Sequence, residues 1–473
     1  MNQYKKLAFN TVIFALGNIG SKSITFLLLP VFTRYMLPSD YGKLDIINTT
    51  ISLLTPILSL QLIEAVFRFA VDFRDETHAR NVLSNLVVFS FLSFLFALAL
   101  YPLLSIIGIF REYKYYFYGM YLVGLLNGAI KQFVRGLGLV KLYAVSDIIF
   151  SVVFALSNTV LLVGLKLGVK AYLLSTVFAQ TFCIVFLFYA ASLWRYLELR
   201  IDFKLLKNML SYSIPLIPNG IMWWIVTASG RYFLSYFLGY EATGIYSVAA
   251  RFPALLTLVT GIFFEAWQLS AMEEFGKEGY SQFFKNTFRT FSSLMFLLAS
   301  ALLLIIKPFM QFYVGESFSE SWKYTPMLIL ASVYHSFASF YGVNYTASKK
   351  TFGAFNTSVL AAGMNIAVLL LLIKTIGIQA ASLSSFVAYL TMWTARIFHT
   401  RKLTQVELDT KHVVFSTILI VIQAILLLTL KVNSLLYISQ LVILLIMLFL
   451  QRKYLSNALR FSKMLVKERK MIG

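Results

Sequence analysis

The sequence predicts an all-α polytopic membrane protein of about fourteen transmembrane helices, arranged as two parallel six-helix lobes followed by two C-terminal helices. Three observations predict it. Of the 473 residues, 59% are hydrophobic, 16% aromatic and only 13% charged, a composition foreign to an ordinary soluble domain. The apolar residues fall in runs of roughly 18 to 25, the length that bridges about 30 Å of hydrocarbon. The second half of the chain also repeats the first.

In chain order the spans lie near 8–32, 44–67, 83–110, 115–137, 145–165, 171–192, 209–237, 242–270, 288–306, 324–346, 352–373, 377–397, 413–430 and 433–451. The first is unusual. FNTVIFALGNIGSKSITFLLLPVFTR, from Phe9 to Arg34, is an apolar helix with Lys22 at its middle. An ammonium at that depth costs a few kcal/mol, so it faces a wet cavity or an anionic partner. At 3.6 residues per turn, Thr11, Asn18, Lys22 and Thr25 share one stripe, which reads as the lining of a lumen. Lys5 and Lys6 before this run resemble a signal peptide, but the run is long, ends at Pro30 and lacks a small-x-small cleavage site, so it is kept as a span.

Charge sets the orientation. The odd-to-even hairpins hold ten Lys and Arg, whereas the termini and even-to-odd loops hold twenty-eight. The positive-inside rule therefore places both termini in the cytoplasm. With charges at span ends counted in the adjoining loops, three remain within spans: Lys22, Arg231 and Arg251. The net charge of +21 is distributed over short loops, which fits a membrane surface and not nucleic acid. The single cysteine, Cys183, excludes a disulfide framework and a cysteine metal site.

The segment from Arg135 to Tyr172 aligns with that from Asn344 to Ala381 at an offset of 209, pairing Lys141 with Lys350, Gly168 with Gly377 and Ala171 with Ala380. Asn18 matches Asn219, and Glu64 matches Glu265, at an offset of 201. The expected organisation is an N-lobe over 1–195, a cytoplasmic linker over 196–207, a C-lobe over 208–402, and spans 13 and 14 with a basic tail over 403–473. A parallel repeat with its site between halves is a transporter device.

Candidate residues follow from what an anionic, hydroxyl-rich solute needs: cations, amides, hydroxyls and aromatic faces. Arg251, in span 8, shares a helical face with Ser247 and Glu265, and reads as an anion contact or as half of a structural ion pair. Arg231, near the outer end of span 7, either binds substrate or snorkels to the interface. Asn219, Trp223 and Thr227 on span 7 have the spacing to stack on and hydrogen-bond sugar rings, or to pack. Glu64 and Glu265 are candidates for coupling to H⁺ or Na⁺, although Arg68 one turn from Glu64 suits a salt bridge. Asn127, Lys131 and Arg135 form a stripe at the inner end of span 4, a headgroup entry path or simple topological charge. His335 reads as a buried histidine. No HExxH, Gly-x-Ser-x-Gly or paired-carboxylate site lies on an extramembrane loop, so neither an enzyme nor a metal site is expected, and no cofactor.

The first span and its sequel, GNIGSKSITFLLLPVFTRYMLPSDYGKLDI, and the hairpin FLGYEATGIYSVAARF opening the second half, resemble the Wzx-type O-antigen and capsule flippases of the multidrug/oligosaccharidyl-lipid/polysaccharide (MOP) exporter superfamily. The resemblance covers the whole chain. It implies a MATE-like V-shaped transporter of a bacterial inner membrane. Its substrate would be an undecaprenyl-diphosphate-linked oligosaccharide, moved from the cytoplasmic to the outer leaflet, with the polysaccharide polymerase and chain-length machinery as partners. Related lipid II flippases place basic residues of spans 1, 2 and 8 against the diphosphate. Lys22 and Arg251 match two of these; span 2 offers Asn48, Thr49 and Thr50 instead of an arginine. Two alternatives remain open: a cation-coupled multidrug exporter of the same fold, which would want a carboxylate in span 1 or 7, and a membrane glycan polymerase or ligase, which would want a large outer loop.

Overall fold

The computed structural model describes residues 20, 23–24, 26–71, 76–198, 200–404, 410–431 and 434–452, with the backbone only for Glu265, 402–404 and 410. All regular secondary structure among them is helical. After α1 (Leu29–Tyr35) come α2 (Pro38–Leu58), α3 (Leu62–Val71), α4 (Glu76–Ala99), α5 (Lys114–Gly136), α6 (Val140–Thr159) and α7 (Val169–Ala190). The connection to the second half holds α8 (Phe203–Ser213) and α9 (Ile217–Phe237). There follow α10 (Gly239–Ala249), α11 (Ala254–Glu274), α12 (Tyr280–Tyr313), α13 (Thr325–Ala347), α14 (Phe352–Ile376), α15 (Ile378–Thr404), α16 (Thr410–Thr429) and α17 (Ser434–Arg452).

Among the described residues, eight helices are long and apolar enough to cross a membrane, or ten if each bent pair counts as one span. The helices α5, α13 and α15 fill the predicted spans 4, 10 and 12 with more polar sequence. The first predicted span lies mostly outside the described residues, and the arrangement is compatible with fourteen.

Spans 2 and 8 differ from the expected straight helices. The pair α2 and α3 bends by 59°, because Leu60 and Gln61 between them adopt left-handed backbone with φ of 49° and 56°, which no α-helix continues through. The pair α10 and α11 bends by 49°. Here Pro253 has no N–H to give the Ala249 carbonyl. That carbonyl accepts instead from Thr325 Oγ1 at 3.4 Å.

The repeat is legible in the backbone. Gly168 before α7 and Gly377 before α15 have nearly the same conformation, φ 54° and ψ −128° against φ 59° and ψ −132°. Both sit where an L side chain would be strained.

Two compact units result, one of residues Met1–Trp224 with Gly239–Gly244 and the other of Ile225–Leu238 with Ile245–Gly473. In the first, Leu62, Ala65 and Val66 of α3 pack with Val82 and Leu86 of α4, Phe133 of α5 and Leu187 of α7, all buried. The segment between the halves is tied down. Asp202 caps α8 by accepting from the Leu205 N–H at 3.0 Å, and Asn85 of α4 donates to its carbonyl and accepts from its N–H, both at 3.0 Å. In the second unit the core is aromatic: Trp267 stacks on Phe340 with centroids 4.2 Å apart, and Phe263 on Phe291 at 4.3 Å.

Candidate functional site

Lys22 and Asn18 lie outside the described residues, as does the side chain of Glu265. The remaining predicted site residues divide between the units.

In the first unit, Glu64 is exposed in the opening turn of α3. Asn219 and Trp223 are half-buried on α9, and the Asn219 Oδ1 is buried without a hydrogen-bond partner among the described residues. Beside Trp223, Trp224 donates its indole N–H to the Thr49 carbonyl at 3.2 Å and to Ser52 Oγ at 3.1 Å. At the other end of the unit, Lys131 forms an ion pair with Asp147 and lies 4.8 Å from the Tyr143 ring. Arg135, one turn on, stacks its guanidinium on Phe67 at 4.3 Å. The stripe read from the sequence is therefore an aromatic-lined cluster holding one acid.

In the second unit, Arg251 sits in the break between α10 and α11, half-buried, its N–H donating to the Val248 carbonyl at 3.1 Å. The helical face assigned to Ser247, Arg251 and Glu265 is interrupted there, since the 49° bend resets the angular count.

Arg231 faces a concavity within the second unit. It lines a cavity of about 330 Å³ enclosed by α9, α10, α11, α13 and α15. Its Nη1 donates to the Thr227 carbonyl at 2.7 Å, which holds the guanidinium back along its own helix. Its plane lies 5.7 Å from the Tyr246 ring, close enough for a cation–π contact. Across the cavity, His335 of α13 meets Tyr389 of α15 edge to face, with centroids 5.0 Å apart at 85°. Hydroxyls of Thr257, Ser332 and Ser385 complete the polar wall. No Asp or Glu is among the described residues lining it. One permanent cation, several hydroxyls and two tyrosine faces suit an anionic or hydroxyl-rich solute.

The sequence reading reached Arg231, Thr227 and His335 but not Tyr246, Ser332, Ser385 or Tyr389. A signal was present: three of the five helices contribute polar pairs three or four residues apart, Thr227 with Arg231, Ser332 with His335 and Ser385 with Tyr389. That is the stripe test applied to the first span. A second omission is Arg396, at the end of the predicted span 12, which is buried within α15 at 3% exposure. Its Nε donates to Thr357 Oγ1 at 3.2 Å, Nη1 to the Ala338 carbonyl at 2.6 Å and Nη2 to Ser358 Oγ at 3.4 Å.

Comparison with known proteins completes the description. The family model described as polysaccharide biosynthesis protein matches residues 7–268, more than half of the chain. Among curated proteins, none matches by sequence. Solved structures share the fold at low identity. The lipid II flippase MurJ in an inward closed conformation superposes with a TM-score of 0.71 at 12% identity, over 96% of this chain and 100% of that one. An inward-facing multidrug resistance MATE family transporter of the MOP superfamily gives 0.64 at 13%, over 84% and 98%. A mutant of the Vibrio cholerae MATE transporter VcmN gives 0.59 at 15%, over 84% and 97%. With that match over residues 7–268, the chain belongs to the polysaccharide biosynthesis protein family.

Proposed function

We propose that the protein moves an undecaprenyl-diphosphate-linked oligosaccharide, an O-antigen or capsule repeat unit, from the cytoplasmic to the outer leaflet of a bacterial inner membrane by alternating access. The observation that carries this reading is the Arg231 cavity, which offers a guanidinium, hydroxyls and tyrosine faces, with no carboxylate among its described lining residues. A cation-coupled drug exporter would want the opposite charge there. Lys22, with Asn18, and Arg251 hold the diphosphate; Arg231, with Asn219 and Trp223, contacts the glycan. Moving two negative charges outward across an inside-negative membrane is favoured by about 2.3 kcal/mol per charge per 100 mV, so the potential contributes to the driving force.

The test is complementation of a flippase-null strain with Lys22→Ala, Arg251→Ala and Arg231→Ala at matched membrane levels. Each is expected to lower surface glycan by about tenfold, the factor that ~1.4 kcal/mol of lost binding represents. Wild-type glycan from all three would remove the reading's support, and energised uptake of a cationic dye into vesicles would favour a drug exporter instead.

A further inference from the structure

A second concavity lies in the first unit, outside the site above. A groove of about 610 Å³ runs between α6 and α7, walled by Leu156, Val160 and Leu161 on one side and by Leu174, Phe178 and Phe182 on the other. Apart from the Ser157 hydroxyl, its walls are hydrocarbon. The α6 helix does not continue regularly beside it. Residues Val160–Gly164 form a π-helical turn, with the Leu165 N–H bonded to the Val160 carbonyl at 3.0 Å. Such a turn widens the helix and shifts its side chains out of α register.

What crowns the groove gives it chemistry. On α7, Lys170 precedes Leu174 by one turn, and Leu174, Phe178 and Phe182 continue down the helix at intervals of four. Neighbours at that spacing share a helical face. All four are exposed. Lys166, in the turn joining the π segment to α7, is exposed as well. Neither ammonium is in an ion pair with a described residue. From Lys170 to Phe182 the helix descends ~18 Å, about the depth of one leaflet of a ~30 Å hydrocarbon core. A lysine at that level extends its ammonium to the headgroups.

The repeat supplies a comparison within the same chain. In α15, which aligns with α7 at the offset of 209, the four positions are Gln379, Leu383, Val387 and Thr391, each half-buried. There α14 runs as an uninterrupted α-helix up to Ile376. The fold thus builds this hairpin in its second half without the lysine, the phenylalanines or the π turn, so these features of the first half serve something other than folding.

We propose that this groove binds an anionic glycerophospholipid of the bilayer, one acyl chain lying between α6 and α7 and the phosphate meeting the ammonium groups of Lys170 and Lys166. Charge complementarity decides the class, because a zwitterionic lipid fills the groove equally well but leaves the two lysines without net negative charge opposite them. The site is separate from the Arg231 cavity and does not depend on the transport reading.

The test is native mass spectrometry of the purified full-length protein, titrated with phosphatidylglycerol or with phosphatidylcholine of the same chains. Wild type is expected to hold one phosphatidylglycerol tighter than phosphatidylcholine by about thirtyfold, the factor expected of two lysines at ~1 kcal/mol each. Lys170→Gln, the residue present in the repeat, is expected to cut that preference to about fivefold and the double variant Lys166→Gln/Lys170→Gln to abolish it, whereas Phe178→Ala weakens both lipids alike. Lys374→Gln, on the other half, serves as control and is expected to keep the preference. Equal binding of both lipids by wild type, or an undiminished preference in Lys170→Gln, would overturn the proposal. Displacement of phosphatidylglycerol from this site by undecaprenyl phosphate at lower concentration would also overturn it, by identifying the groove as a seat for the polyprenyl tail.

Discussion

Arg396 shows how much a single buried side chain decides in this family member. Its guanidinium is surrounded by neutral acceptors: two hydroxyls and the Ala338 carbonyl. Gly342 makes room for it, since a Cβ there would lie 2.7 Å from Nη1. Removing the side chain leaves a cavity and an unsatisfied carbonyl in one step. Arg396→Ala is expected to destabilise the protein by about 2–4 kcal/mol, read as a lowered melting temperature in detergent. Arg396→Met, which fills the space without the charge, is expected to lose less, because a desolvated cation contributes little net stability. In the first unit, Lys131 of α5 and Asp147 of α6 offer a sharper contrast. If their pairing is what the positions provide, Lys131→Met and Asp147→Asn each lower the melting temperature and the charge-swapped double variant restores it. A role for Lys131 in headgroup entry predicts that the swap recovers stability while surface glycan stays low.

At the scale of elements, the closest approach of backbones within the first unit is where α2 meets α10. A Cβ on Gly42 would lie 1.9 Å from the Tyr240 carbonyl oxygen, and one on Gly244 would lie 1.9 Å from that of Pro38. The obstacle in both cases is main chain, which cannot swing aside as a side chain can. Gly42→Ala and Gly244→Ala are each expected to force these helices apart and to reduce surface glycan by about tenfold or more, more than ~1.4 kcal/mol. Gly363→Ala in α14 is the control: nothing lies within 4 Å of its Cβ position, and the helix gains from alanine by up to ~1 kcal/mol. The connection between the halves is held by a comparable economy of contacts. Asp202→Ala removes the cap of α8 and its side-chain bond from Asn81 at 3.1 Å, and is expected to cost about 1–3 kcal/mol. Limited proteolysis near residue 200 reads that loosening directly.

For the molecule as a whole, the testable quantity is the energy source. If anionic cargo moves outward, collapsing the membrane potential with a potassium ionophore is expected to slow glycan export. Replacing external Na⁺ by K⁺ at constant potential leaves it unchanged. Two charges at ~100 mV amount to about 4.6 kcal/mol, enough for the first effect to be plain. An Na⁺ requirement with no dependence on potential would point back to Glu64 and Glu265 as coupling groups.

The amino-acid sequence by itself determined that this chain lives in a bilayer, roughly where each span lies, and that its halves repeat. These are properties of local hydropathy and of periodic spacing, which each segment carries alone. Lys22 and Arg251 were conspicuous for the same reason: a charge in an apolar run stands out without any neighbour. Only the tertiary structure decided that Arg231 faces Tyr246, Tyr389 and His335, that Arg396 is buried against Ala338, Thr357 and Ser358, and that spans 2 and 8 bend. Arg231 and Tyr389 are far apart along the chain, and the Ala249 carbonyl is satisfied by Thr325. No window along the chain contains such pairs; packing of distant helices creates them.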